Sequence, residues 1–225
     1  MIKMISHPDY EKAATMALRL LRDRNVTKTP ITPLAFLLNT PHVRLMSFAE
    51  FADEAEIERH DLVPMFGKSQ DAATFTLAAG MEDVEYVVVY NMLLPHVVLS
   101  RAMARELGHI ILGHDGETRT TDARRAEAMC FAHHLLSPRP VIHMLRDAGI
   151  PVTMNVLART TGCSEECVDG IQLLPAVRTP MELNAAVRDQ FSKEILEYIQ
   201  FHKASDKPDH SALVDFGSFM DGYEE

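Results

Sequence analysis

Residues 100–114, SRAMARELGHIILGH, form the stretch that decides the fold of this chain. Their apolar residues recur at helical spacing and leave one polar edge, which consists of Arg105, Glu106 and His109. Positions i and i+4 lie on one face of a helix, so the side chains of residues 105 and 109 point the same way, with Glu106 beside them. The stretch therefore predicts a central helix that presents a titratable edge to its neighbours.

The spacing of this edge is that of the zinc-binding motif H-E-x-x-H, with arginine in place of the first histidine. In that motif two histidines hold the metal, and the glutamate takes a proton from the metal-bound water. Arginine has no lone pair for a metal and stays protonated in proteins, so Arg105 cannot be a ligand. From these residues alone, a solvated helix edge with a local ion pair is the simpler interpretation.

The composition predicts a globular protein with a sizeable core. The chain has 225 residues, of which 47% are hydrophobic and 24% are charged, and these values are ordinary for globular proteins. No apolar run approaches the length of a membrane span, and the first nine residues lack a secretory-signal pattern. Cys130, Cys163 and Cys167 are too few and too unevenly spaced for a disulfide framework, which is typical of a reducing cytosol. We expect a cytoplasmic protein without a membrane segment.

The net charge of −10 is concentrated near the C-terminal end. Between Ser205 and Glu225 six acidic residues stand against one basic residue, Lys207, so this segment contributes about half of the net charge. An acidic segment repels phosphate backbones and argues against nucleic-acid binding by the whole chain. We expect residues 205–225 to form a flexible acidic tail.

Hydrophobic periodicity predicts an α+β chain that is mostly helical, with a small antiparallel sheet packed on the central helix. Beside the central helix, helices are predicted at residues 9–24, 34–38, 123–136, 140–148 and 180–201. Strands are predicted at residues 43–46, 73–79 and 85–90, the last two as a hairpin that turns at residues 80–83. Residues 47–68 fit either a helix or a loop, and Asp122 is expected to cap the helix that follows it.

Residues 152–174 are predicted to form two helices joined by a turn around Gly162. The second helix would begin with Glu165 and Glu166, so it lacks the basic surface that DNA binding requires. We interpret the segment as a packed helical hairpin, which makes direct DNA binding the least favoured function. Cys163 and Cys167 are interpreted as buried thiols instead of metal ligands.

Two stretches together resemble the ImmA/IrrE family of bacterial and phage metallopeptidases. The sequence A-R-E-L-G-H at residues 104–109 is similar to the family's A-H-E-L-G-H, and residues 125–138, R-A-E-A-M-C-F-A-H-H-L-L-S-P, are similar to its E-x-x-A-N-x-F-A-x-x-L-L-M-P. The resemblance covers roughly residues 9–175 and implies a zincin-like fold. The expected organisation is a peptidase-like domain at 1–150, a helical hairpin at 151–176, a C-terminal helix at 177–204 and the acidic tail.

The resemblance implies roles for four positions of the site. In the family, the two histidines of the helix and the glutamate that opens the second motif bind zinc, and the glutamate after the first histidine is the general base. Glu106 matches the base and His109 matches the second ligand. Arg105 and Arg125 stand at the other two ligand positions. The chain departs from the family further at Met129 and Ser137, where the pattern has Asn and Met.

Arginine at two ligand positions predicts an ion-pair site in place of a metal site. Two guanidinium groups would supply comparable positive charge to Glu106 without zinc, and Glu106→Ala would destabilise such a site strongly if it is buried. We therefore expect a catalytically impaired family member that needs no cofactor. The resemblance implies that it binds a regulatory protein, such as a transcriptional repressor, in a phage or mobile-element setting.

An active zinc endopeptidase with rearranged ligands is the alternative. His109 would be joined by His114, Glu127 or His133, and Glu106 would activate a zinc-bound water to cleave a repressor. Glu127 lies about 200° round the helix from Arg125, so it is expected on another face. Helix-borne histidines in apolar stripes are more often simply packed, which weighs against this alternative.

Overall fold

The computed structural model describes residues 7–58, 60–61, 71–78, 84–114, 120–162, 174 and 176–204. Over these ranges the chain forms eight helices and one three-stranded sheet, which confirms the expectation of a mostly helical protein with a small sheet. None of the described helices combines the length and apolar character that a bilayer span requires.

Contacts group the chain into two compact units. The first comprises Thr32–Ala128, and the second comprises His7–Ile31 together with the residues from Met129 onward. This grouping does not test the expected boundaries at residues 150, 176 and 204, which stay predictions.

The first unit is built on a mixed sheet. Its strands are β1 (Val43–Ser47), β2 (Ala72–Ala78) and β3 (Val84–Tyr90), in the order β1-β3-β2. β2 and β3 are antiparallel, whereas β1 and β3 are parallel. The expected antiparallel pairing of β2 and β3 is confirmed, but the description of the small sheet as antiparallel is wrong for its third strand, β1. Alternating residues predict a strand but not its direction, and the chain between β1 and β3 is long enough for the crossover that parallel pairing needs.

β3, the central strand, has a run of three valines, which suits a buried strand. β-branched residues favour the pleated conformation, and Val87, Val88 and Val89 are buried. Two helices, α2 (Pro33–Leu38) and α3 (Phe48–Glu54), flank β1. A capping box between Ser47 and Glu50 starts α3. Part of the ambiguous segment at 47–68 is thus helical.

The central helix, α4 (His96–Ile111), lies against β2 and β3. Pro95 precedes its first turn, where the fixed φ of proline is favourable, and Gly113 follows it with a φ of 68°. Ala102, Met103 and Leu107 are buried, and Glu106 is buried with them. The predicted polar edge of the helix thus faces protein at Glu106.

Helix α5 (Thr121–Leu136) begins in the first unit and continues into the second. Asp122 lies within its first turn with a side chain that is 96% exposed, so the prediction that Asp122 caps this helix is wrong. Thr120 performs that role, because its Oγ1 accepts a hydrogen bond from the Ala123 amide. A threonine hydroxyl satisfies an unpaired amide at a helix start much as a carboxylate does.

The second unit is helical over its described residues. It contains α1 (Tyr10–Asp23), α6 (Arg139–Asp147), α7 (Met154–Thr161) and α8 (Met181–Ala204), and α8 packs on α1 and α6. The apolar positions predicted for α1 are fully buried; they are Ala13, Ala14, Ala17, Leu18 and Leu21.

Several predicted features lie outside the described residues. Helix α7 confirms the first helix of the predicted hairpin. The second helix is predicted within residues 163–173, which include Cys163 and Cys167 and lie outside the described residues. The same is true of the turn at 80–83 and of the acidic tail at 205–225.

Two glycines of the second unit give a matched test of backbone geometry. Gly149 and Gly162 both have positive φ, 73° and 69°. A Cβ at Gly162 would lie 2.7 Å from the Cβ of Pro30, whereas one at Gly149 would meet no atom within 4 Å. We expect Gly149→Ala to lower the free energy of unfolding by about 1 kcal/mol, and Gly162→Ala to lower it by about 3 kcal/mol because a steric clash is added. Urea unfolding measures both, and equal losses would contradict the prediction.

Candidate functional site

A cavity of about 280 Å³ in the first unit contains the predicted site. Residues of β2, of the second half of α4 and of the start of α5 line it. The lining includes Arg105, Glu106 and His109 from the predicted edge, and also His114 and Arg125. The structure therefore brings most of the sequence-predicted residues to one place.

Glu106 is buried and held by hydrogen bonds from two elements. Its Oε1 accepts a hydrogen bond from Nε of Arg105 at 2.9 Å, and Nη2 of Arg105 lies 2.9 Å from the same oxygen. Its Oε2 accepts a hydrogen bond from Oγ1 of Thr74 at 2.8 Å. The exposed fractions of the Arg105 and Glu106 side chains are 16% and 4%. Both carboxylate oxygens are thus engaged by protein donors.

The same pair covers part of the outer edge of β2. The Asp71 carbonyl accepts from the Asn91 amide on the β3 side, so the backbone groups of Ala72 and Thr74 face outward by alternation. The Ala72 carbonyl accepts from Nη2 of Arg105 at 3.0 Å, and the Thr74 amide donates to Glu106. One guanidinium and one carboxylate therefore bind the edge where an added strand would pair.

Burial raises the pKa of Glu106 above its ordinary value of 4.5. The positive charge of Arg105 and the hydrogen bonds from Thr74 and Arg105 act in the opposite direction but do not cancel the effect of burial. The hydration free energy that a carboxylate loses on burial exceeds the favourable interaction energy that one partly buried guanidinium supplies. The ionised form of Glu106 is therefore less favourable in the folded protein than in water, even with Arg105 and Thr74 bonded to it.

Arg125 does not join this ion pair. Its side chain is 65% exposed, and its guanidinium lies 3.9 Å from the carboxylate of Asp122. The expectation of two guanidinium groups on Glu106 is thus met by Arg105 and is wrong for Arg125. Position 125 lies on the exposed side of α5, whereas Glu127, about 200° further round, is buried.

His109, His114 and Glu127 form a hydrogen-bonded chain. Nδ1 of His109 lies 3.0 Å from Nδ1 of His114, and Nε2 of His114 lies 2.9 Å from Oε2 of Glu127. The positive φ of Gly113 turns the backbone at the end of α4, and the His114 amide donates to the His109 carbonyl at 3.0 Å. Nη1 of Arg124 donates to the His114 carbonyl at 3.0 Å. His114 therefore folds back from the turn onto the helix.

The acceptor at the end of these hydrogen bonds, Glu127, determines where their protons lie. A carboxylate only accepts, so Nε2 of His114 donates to Glu127. The single proton between the two Nδ1 atoms then belongs to His109 or to His114. Burial is the main cause that lowers the pKa of His109 to about 3, and the charges of His114 and of three nearby arginines contribute to the same shift. His109 is consequently neutral at pH 7.

These donors do not fit a zinc site. Among the residues that the structure describes, no group of three or more His, Cys, Asp or Glu side chains could hold a metal ion. His114 directs one ring nitrogen to His109 and the other to Glu127, and Arg105 stands where the resemblance puts the first ligand. His133 is buried in the second unit. Since the donor set is inadequate, no reaction step through a metal follows from it.

Sequence reasoning missed two residues of the site. Thr74 carried only the signal of an alternating strand, and nothing local indicated that its hydroxyl would meet Glu106. Arg124 stands beside Arg125, but the motif comparison drew attention only to Arg125. Thr74 contacts a residue 32 positions further along the chain, and Arg124 contacts the carbonyl of a residue in the turn that precedes its helix.

Comparisons with models of protein families, with curated proteins and with solved structures find no match. The family suggested by the two sequence motifs therefore stays a prediction.

Substitution of Glu106 tests the energetics of the ion pair. Glu106→Ala removes the acceptor of Thr74 and Arg105, so we expect the free energy of unfolding to fall by about 3 kcal/mol. Glu106→Gln keeps the size and an acceptor oxygen, so we expect a loss of about 1 kcal/mol or less at neutral pH. Urea unfolding of the three proteins gives both values.

The pH dependence of the same proteins checks the direction of the pKa shift. The pKa of Glu106 is higher in the folded than in the unfolded state, so above pH 4.5 the unfolded chain releases this proton first. Stability from this group is therefore lost as pH rises through the window between the two pKa values. We expect the wild-type protein to lose stability relative to Glu106→Gln as pH rises from 4.5. A constant difference, or one that grows in favour of the wild type, would count against the shift.

The protonation of His109 can be observed directly. Because its pKa is lowered to about 3, its ring resonances should not titrate between about pH 5 and pH 8, where an ordinary histidine does. Nitrogen-15 NMR of the labelled protein measures this, and His109→Gln identifies the signal. A titration midpoint near that of free imidazole would show that the His109 ring is not buried among positive charges as the structure describes.

Proposed function

We propose that this chain is a metal-free relative of the ImmA/IrrE peptidases that does not cleave peptides and acts by binding a regulatory protein such as a transcriptional repressor. One observation carries the loss of chemistry: Arg105, at the position of the first zinc ligand, donates to Glu106 and to the Ala72 carbonyl. The class of partner rests on the resemblance of residues 104–109 and 125–138. The zincin-like fold belongs to the same proposal.

The state of Glu106 supports the absence of peptidase chemistry. A general base needs an accessible lone pair within hydrogen-bond reach of the proton that it takes. Both oxygens of Glu106 accept from Arg105 or Thr74, and its side chain is 4% exposed. Arg105 would have to leave before a water could take its place beside the carboxylate.

The edge of β2 supports the same conclusion. An extended peptide binds a sheet edge through outward backbone groups. At Ala72 and Thr74 those groups already bond to Arg105 and Glu106. A substrate could not pair with this part of the strand without breaking the ion pair.

Metal content tests the proposal first. We expect the purified, untagged protein to hold no stoichiometric zinc by elemental analysis, and its melting temperature to stay unchanged on addition of zinc or a chelator. Arg105→His combined with Arg125→Glu should gain zinc, with a melting temperature that rises on zinc addition, because both replaced ligand positions then carry groups that can bind metal. Arg105→Gln combined with Arg125→Glu is the matched control, since it removes the same charges without adding a good ligand at residue 105.

The outcome also separates the two candidate functions. A transcriptional repressor that is the partner should form a complex with the wild-type protein, seen by size-exclusion chromatography, and mass spectrometry should find the repressor uncleaved. Stoichiometric zinc that resists dialysis, together with cleavage of the repressor, would overturn the proposal. That result would favour the zinc endopeptidase with rearranged ligands, and His109 and His114 would be the first ligands to test.

A further inference from the structure

We propose that the cavity beside Glu106 binds an oxyanion, a carboxylate or phosphate group, through Arg124 and Arg125. The inference deepens the proposed function and rests on it, because it names the chemical group that a partner would place in a metal-free cavity. The two arginines lie one after the other at the start of α5, and both line the cavity.

The charge of the cavity wall is the first argument. Among the described lining residues there are three arginines and one carboxylate, and that carboxylate, Glu106, is paired with Arg105. The wall therefore carries an excess of positive charge in a chain whose net charge is −10. A concave site of one sign concentrates field lines and attracts ligands of the opposite sign.

The acidic groups that the structure describes near the two arginines leave this excess in place. Asp122 is 96% exposed, and its carboxylate lies 3.9 Å from the guanidinium of Arg125, which is too far for a hydrogen bond. Glu127 is buried and bonds to His114. Arg124 donates to a neutral group, the carbonyl of His114. Within the described part of the chain, the carboxylate contact of Arg125 is thus a long, exposed ion pair, and an ion pair of this kind contributes little.

The environment of His109 supports a positive field in the cavity. The charges that act on this ring are those of His114, Arg105, Arg124 and Arg125, and all of them lower its pKa. An anion placed near the ring would therefore meet attraction from several directions. Guanidinium groups suit such an anion because their fork of donors matches two oxygens of a carboxylate or phosphate.

The volume limits the size of the bound group. About 280 Å³ is slightly below the range of typical pockets for drug-sized ligands. It accommodates a terminal carboxylate with part of one residue, or a free phosphate. The bonds of Arg105 and Glu106 to the edge of β2 also favour a group that enters at its end over a chain that continues along the strand.

Calorimetric titration of the full chain tests the inference with three probes. They are inorganic phosphate, an acetylated tetra-alanine peptide with a free C-terminal carboxylate, and the same peptide as its amide. We expect saturable binding of phosphate, of the carboxylate peptide or of both, none of the amide, and weaker binding at higher salt. Binding of the carboxylate peptide alone would identify a peptide end as the source, and binding of phosphate alone would identify a free anion.

Substitutions then locate the site. Arg125→Gln should weaken binding by about tenfold, as expected for the loss of one charged hydrogen-bond donor. Arg44→Gln is the matched control, because Arg44 is an exposed arginine of the same unit that pairs with Glu54 and lies outside the cavity lining. It should leave the affinity unchanged. Arg124→Gln should also weaken binding, and its melting temperature shows whether the turn at His114 has been disturbed.

Two results would overturn the inference. One is the absence of saturable binding of both anionic probes at millimolar concentration, and the other is unchanged affinity in Arg125→Gln. Neither result bears on the metal content of the protein, so the proposed function would stand. Zinc in the wild-type protein would overturn the proposed function, and this result would be recognised separately by elemental analysis.

Discussion

The desolvation of one carboxylate, that of Glu106, is the constraint on which the first unit depends. A helix that packs on a sheet ordinarily buries apolar side chains, and a carboxylate there is stable only when donors replace its water. Arg105 supplies one set of donors from the same helix, and Thr74 supplies the other from β2. The bond from Arg105 to the Ala72 carbonyl adds a further link between helix and strand. The polar edge of α4 is thereby part of the packing of the helix on the sheet.

A second buried carboxylate organises the turn after α4. Glu127 comes from α5 and bonds to His114, and His114 in turn contacts His109. Gly113 permits this return because its positive φ costs glycine little. Each carboxylate thus bonds to a residue of the cavity wall, Glu106 to Arg105 and Glu127 to His114. Burial of His109 among cations then keeps its ring neutral.

Local patterns predicted most of the elements, because helix and strand periodicities depend on neighbours in the sequence. The positions of α1, β1, β3 and α4 follow from such patterns, whereas the sequence places Glu106 on the polar edge of α4 and leaves its burial open. The parallel pairing of β1 with β3, the exposure of Arg125 and the contact of Thr74 with Glu106 could not be predicted in this way. Each depends on how distant segments meet, and a linear spacing carries no information about that.

Arginine and a metal ion have different effects on the chemistry of a cavity, although both carry positive charge. A divalent ion can both offset a nearby carboxylate and activate a water, whereas a guanidinium offsets the carboxylate but has no site for water activation. In this chain Arg105 is already bonded to Glu106 and to the Ala72 carbonyl at the edge of β2. The positive charge that remains on the cavity wall comes from Arg124 and Arg125 on another helix. Under the proposed function, such a site would attract anions without a group that activates water, and this combination suits recognition better than hydrolysis.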